Sequence, residues 1–198
     1  MTAGEEPNDG LEWVRDPATV MWCVTCVQNM SAEDLLLVVG AEVDPDVRWN
    51  AQEAQIESHR QGGSAVRVAS AGSWAILIEL MSLKGADGTW LEDVSRGRTA
   101  VCYYQTGGGM ERFSLAIDGV MVTEFEPAIA AHRTGSSPDR LVAEMRAAGI
   151  DPDGAGGEFD LGAAALELVD RLTGVRLTSE MVVSQQWPAA VIPRRRPV

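Results

Sequence analysis

The dipeptide Asp118-Gly119 lies between Phe113, Leu115 and Ile117 on one side and Val120 and Val122 on the other. A two-residue type I′ turn needs positive φ at both central positions, which Asp-Gly supplies, and the flanking residues alternate with period two. This commits the chain to an antiparallel hairpin. The expected register sets Ile117 against Val120 and Leu115 against Val122 on the core side. Arg112, Ser114 and Thr123 then share the other face with Ala116, Met121 and Phe125.

The same period recurs upstream. Val66 and Val68, then Trp74, Ile76, Ile78 and Leu80, flank the turn residues 70–73 and predict a second hairpin. Arg98 to Gln105 reads as a further strand, and Trp90 to Val94 as a helical turn. Asp16-Pro17 offers an N-cap and a proline at the first helical position, and Val20, Cys23, Val24 and Val27 follow at helical spacing. A helix is the expectation there, with a strand as the alternative because the stretch is rich in β-branched residues. Ser31-Ala32-Glu33-Asp34 opens a short helix that Gly40 closes. The polar run 42–63 has no clean period and reads as a loop with a turn or two of exposed helix.

Ser137-Pro138-Asp139 caps a helix closed by Gly149, and Asp160 caps another closed by Gly174. These amphipathic helices need an apolar cover. The expected fold is therefore α+β, an antiparallel meander of about five strands with helices on one face. Residues 1–15 are read as a flexible acidic arm, 16–187 as one domain and 188–198 as a disordered Pro/Arg-rich tail.

Sixteen basic residues face twenty-nine acidic ones in the 198, a formal charge of −13. Such a field repels nucleic acid and anionic lipid and favours a basic protein partner. Arg194-Arg195-Arg196 is too small a counterweight to suggest DNA contact. No window approaches the ~20 apolar residues of a membrane span. With three cysteines and no secretory leader, a reducing cytoplasm is the expected setting.

No catalytic set assembles from spacing. Cys23-Val24-Thr25-Cys26 matches C-x-x-C but lacks a second ligand pair or a βαβ setting, so it reads as buried thiols, with no metal or cofactor expected. His59 and His132 read as surface residues outside any nucleophile or zinc motif. The binding candidates are the acidic run Glu42, Asp44, Asp46, Glu53 and Glu57 with the tryptophans Trp49 and Trp90, which lie in polar segments. An alternative set is a sheet-face pocket around Glu79, an acid on an apolar strand, with Tyr103, Tyr104 and Arg112.

Several segments together resemble an uncharacterised actinobacterial domain of unknown function. They include Trp22-Cys23-Val24-Thr25, Gly72-Ser73-Trp74-Ala75, Arg112-Phe113 through Asp118-Gly119 to Phe125-Glu126-Pro127, Ser137-Pro138-Asp139-Arg140-Leu141 and Leu172 to Thr178. The resemblance spans most of residues 13 to 183 and departs at Leu80 to Lys84, where similar proteins carry an Asn-Gly-Trp-Gln-like run. It implies a compact cytoplasmic domain and brings no activity. The expectation is thus a non-enzymatic acidic binding domain, such as an immunity or antitoxin-like neutraliser of a basic protein. The alternatives are a small-molecule binder or enzyme using the Glu79 pocket, and a structural subunit of a larger complex.

Overall fold

The structure is a computed structural model that describes residues 12–15, 21–42, 44, 46–80, 82–107, 109–154 and 160–193. The Asp16-Pro17 cap and the Arg194-Arg195-Arg196 triplet fall outside them. The chain is α+β with an antiparallel sheet, as its periodicities require. Among the described residues the sheet has eight strands rather than about five. These are β1 (Met21–Gln28), β2 (Arg48–Trp49), β3 (Gly63–Ala71), β4 (Trp74–Leu80), β5 (Thr99–Thr106), β6 (Glu111–Ile117), β7 (Val120–Phe125) and β8 (Trp187–Pro193). Their order is β2-β8-β3-β4-β1-β5-β6-β7, so β5, β6 and β7 form a meander, while β1 is inserted between the consecutive strands β4 and β5, and β8 between β2 and β3.

The stretch expected as the first helix is β1. It pairs antiparallel with both β4 and β5. A strand buried on both faces carries apolar residues at every position, and such a run contains helical spacings by accident. Trp22, Val24 and Cys26 point to one face of the sheet and Cys23 and Val27 to the other.

Helices cover both faces rather than one. On the first face, α6 (Leu161–Thr173), capped by Asp160 and closed by Gly174, buries Ala165, Leu168 and Val169. Beside it lie a 3-10 turn at Pro138–Leu141 and α5 (Val142–Ala147), where Met145 is fully buried. The helical turn α1 (Glu12–Arg15) also belongs to this core. Trp13 is buried there, its ring tilted against that of Trp22 at 4.6 Å, and it donates its indole N–H to the Leu177 carbonyl at 3.0 Å; residues 12–15, read from the sequence as part of the arm, are thus helical and packed. On the second face, α2 (Ala32–Val39) buries Leu35, Leu36 and Val39, and α4 (Gly88–Val94) buries Trp90, Leu91 and Val94.

Two more elements depart from the sequence reading. The polar run contains α3 (Ala51–Gln61), whose N-terminus is a full capping box: Asn50 accepts from the Glu53 N–H and Glu53 accepts from the Asn50 N–H. Its buried positions are Ala54 and Ser58, so no apolar stripe announces it. β8 occupies residues read as tail and pairs with β3 from Gly63↔Pro193 to Arg67↔Ala189.

The Asp118-Gly119 turn has the expected geometry, with φ of 49° and 79°. Ile117 opposes Val120, but the register then slips by one residue: Ala116 faces Met121, and Leu115 faces Thr123 instead of Val122. This bulge turns Phe125 onto the first face, where it stacks on Phe113 at 5.3 Å. Val120, at the tip of an edge strand, is 47% exposed.

Candidate functional site: an acidic groove at the open edge of the sheet

β2 is only two residues long and covers β8 at Arg48↔Pro188 and Trp49↔Trp187. One further bond, from the Ala189 N–H to the Val47 carbonyl at 3.2 Å, extends this cover. From Ala190 to Pro193, β8 pairs with β3 on one side and with no strand among the described residues on the other. Backbone directions alternate along a strand, so Val191 turns its N–H and C=O the same way as Ala189, toward this open side. Unpaired edge groups of this kind are a template for an added strand.

A groove of about 350 Å³ runs along this edge. Its walls are Glu42, Asp44, Val47, Trp49 and Gln61, and Ala189 to Val191 with Pro193 line its strand side. Glu42 and Asp44 are exposed carboxylates, Trp49 is half-buried, and among the described residues no basic side chain lines the groove. The sequence therefore brings three of its expected binding residues to one place, beside a sheet edge that the sequence did not announce.

Of the other acidic candidates, Asp46 is exposed and lies outside the groove lining, and Glu53 and Glu57 are used locally. Asp44 Oδ1 accepts from the Asp46 N–H at 3.0 Å and holds the turn that leads into β2. Glu53 serves the α3 cap and takes a hydrogen bond from Gln186. Glu57 accepts from the Gln61 side chain at 2.8 Å and pairs with Arg60; the Gln61 donor, followed by Arg60, holds its carboxyl below the usual glutamate range. Trp90 is not a half-exposed anchor: only 7% exposed, it belongs to the second core and donates to the Val38 carbonyl at 3.3 Å.

The alternative pocket does not assemble. Glu79 lies on β4, inside the sheet, and is fully buried, neither at an edge nor facing solvent. Its Oε2 accepts from the Ser82 hydroxyl at 2.6 Å and the Lys84 N–H at 2.7 Å, and its Oε1 from the Gly85 N–H at 2.7 Å. The carboxylate thus fastens the turn between β4 and α4. Gly85 is pressed so close that a Cβ there would overlap the Thr25 hydroxyl and approach Cys23 Sγ at 3.0 Å. Tyr104 and Arg112 lie in the same cross-sheet row as Glu79, but Arg112 is three strands away and pairs with Glu124 at 3.4 Å. Tyr103 is on the opposite face and donates to Glu111 at 2.9 Å.

The C-x-x-C pair is also split, because residues three apart on a strand point to opposite faces. Cys23 instead meets Cys102, their sulfurs 3.4 Å apart in the second core. Burial pushes the Cys23 thiol well up, and the neighbouring Cys102 and Glu79 push the same way, so it stays protonated. Burial raises Cys26 to about 12. Among the described residues no group of three or more His, Cys, Asp and Glu is arranged to hold a metal ion.

One buried charge escaped the sequence reading. Arg67 of β3 is fully buried on the first face, donates from Nη2 to the Val182 carbonyl at 2.6 Å and lies 5.6 Å from the centre of the Trp187 ring. Its Nε and Nη1 find no acceptor among the described residues. Burial pulls the guanidinium down to about 10. Only the charge of residue 67, set between Val66 and Val68, hinted at it.

No helix of the described residues is long and apolar enough to cross a membrane. No curated protein and no solved structure matches the chain. Residues 9–197 match the family described as "Family of unknown function (DUF6461)", nearly the whole length, and the chain belongs to that family.

Proposed function

We propose that this domain binds an extended, basic segment of a partner protein, which adds to the free side of β8 as a further strand. The observation that carries the reading is the edge at Ala190 to Pro193, which no strand among the described residues covers, bordered by Glu42, Asp44 and Trp49 with no cation among the described walls of the groove. Main-chain bonds to Val191 supply part of the affinity. The carboxylates select lysine or arginine side chains, and Trp49 offers a ring face to a guanidinium or an aliphatic stem. The overall charge of −13 steers a cationic partner toward the molecule. A domain of this kind serves as a cover for a basic protein, in the manner of an immunity or antitoxin partner.

Fluorescence anisotropy with a labelled alternating Val-Lys octapeptide tests the reading. Saturable binding is expected to weaken on adding salt, to disappear in the Glu42→Lys/Asp44→Lys double variant, and to fail when alternate peptide nitrogens are methylated. Equal binding of a Val-Glu octapeptide, or an undiminished double variant, would defeat it.

A further inference from the structure

Pro193, the last residue of β8, lines the edge groove, and the densest run of cations in the chain, Arg194-Arg195-Arg196, follows it directly. The facing wall carries Glu42 and Asp44, both exposed, and neither has an ion-pair partner among the described residues. An acidic groove and a basic triplet are thus joined by a single peptide bond.

The reach is sufficient. Ala189 and Pro193 mark the two ends of the strand side of the groove, four residues apart, which is about 13 Å along an extended chain. Asp44 sits toward the Ala189 end, because its carbonyl accepts from the Val47 N–H at 3.1 Å and the Val47 carbonyl accepts from the Ala189 N–H at 3.2 Å. Three extended residues span about 10 Å, and an arginine side chain supplies the remainder. A tether this short gives its cations an effective concentration of millimolar order at the groove.

The triplet is poorly made to be an added strand. Pro193 and Pro197 flank it, and neither has an N–H to donate. Its hold on the groove is that of exposed side-chain charges, which salt screens. A segment that also bonds to the backbone of Val191 has what the triplet lacks and displaces it.

We infer that Arg194, Arg195 and Arg196 act as an intramolecular latch, their guanidinium groups occupying the acidic groove until a partner strand displaces them. This regulates the groove proposed above to take a partner segment, and rests on that reading for its purpose though not for its existence. The latch filters out basic chains that offer charge alone and admits those that also pair as a strand.

The test compares the full chain with its Arg194→Gln/Arg195→Gln/Arg196→Gln variant. A control, Arg96→Gln/Arg112→Gln/Arg146→Gln, loses the same charge at exposed arginines outside the groove. Proton–nitrogen correlation spectra at low salt follow the Trp49 indole and the Val191 amide. Both signals are expected to differ between the native protein and the tail variant and to converge as salt rises. In the tail variant they should return toward the native positions on adding the free hexapeptide Pro-Arg-Arg-Arg-Pro-Val, and in the control they should match the native protein. The alternating Val-Lys octapeptide should bind the tail variant about tenfold more tightly than the control, as a latch closed in about nine molecules in ten requires. Three results overturn the latch: signals that are the same in native protein and tail variant, a difference that vanishes on dilution and so belongs to a neighbouring copy, or equal, measurable octapeptide affinities in tail and control variants. If the octapeptide binds neither variant while the spectral differences stand, the partner reading falls and the latch survives.

Discussion

Glu79 and Arg67 are both fully buried charges on neighbouring strands, one on each face of the sheet, and their surroundings differ completely. Glu79 receives three donors from a turn folded around it. Arg67 finds one carbonyl and a ring face, and two of its nitrogens are unmatched among the described residues. A charge with donors on both of its oxygens organises the chain near it, whereas a charge with few partners sits where apolar packing happens to tolerate it. Burial of a charged residue in itself therefore says little about its role.

The largest effect should come from Glu79→Ala. It strands two backbone N–H groups and a hydroxyl, and we expect a loss of about 3–5 kcal/mol in urea unfolding. A loss under 1 kcal/mol would break the contrast at its stronger end. Arg67→Met keeps the length of the side chain and removes the unmatched charge. It should fall within about 1 kcal/mol of the native protein or be more stable. A cost equal to that of Glu79→Ala would mean that the guanidinium is as well served as the carboxylate.

A third, half-buried charge sharpens the comparison with a smaller effect. Burial raises the Glu111 carboxyl, the charges of Asp160 and Glu126 add to the rise, and the Tyr103 hydroxyl opposes it. The folded chain therefore keeps this proton to a higher pH than the unfolded chain. The contribution of Glu111 to stability falls as pH rises from the ordinary glutamate range through its raised folded value, and levels off above it. Glu111→Gln removes that fall, so its stability relative to the native protein should climb across the same window. A difference that is flat with pH would contradict this.

The sequence was readable where a signal is local. Asp118-Gly119, the Ser31 cap and Gly40 terminus of α2, and the Asp160 to Gly174 frame of α6 all specify their elements within a few residues. It was silent where burial is symmetric or partners are remote. β1, covered on both faces, loses the alternation that marks a strand, and α3, resting on alanine and serine, lacks an apolar stripe although Asn50 and Glu53 spelled out its start. Of the groove, Glu42, Asp44 and Trp49 were visible as an acidic and aromatic run. Their opposite wall was not, because Pro188 and Pro193 disguise β8 and its pairing joins residues as far apart as Arg67 and Ala189.

That remote pairing also bears on how the molecule is made. β8 is the last strand of the described chain to leave the ribosome, and it fits between β2 and β3, both synthesised long before. Until it arrives, the margin of β3 from Gly63 to Arg67 lacks its partner strand and is open to mispairing with other nascent chains. Vectorial synthesis leaves this half of the sheet waiting, and shutting that gap is the non-local step expected to set the pace of folding.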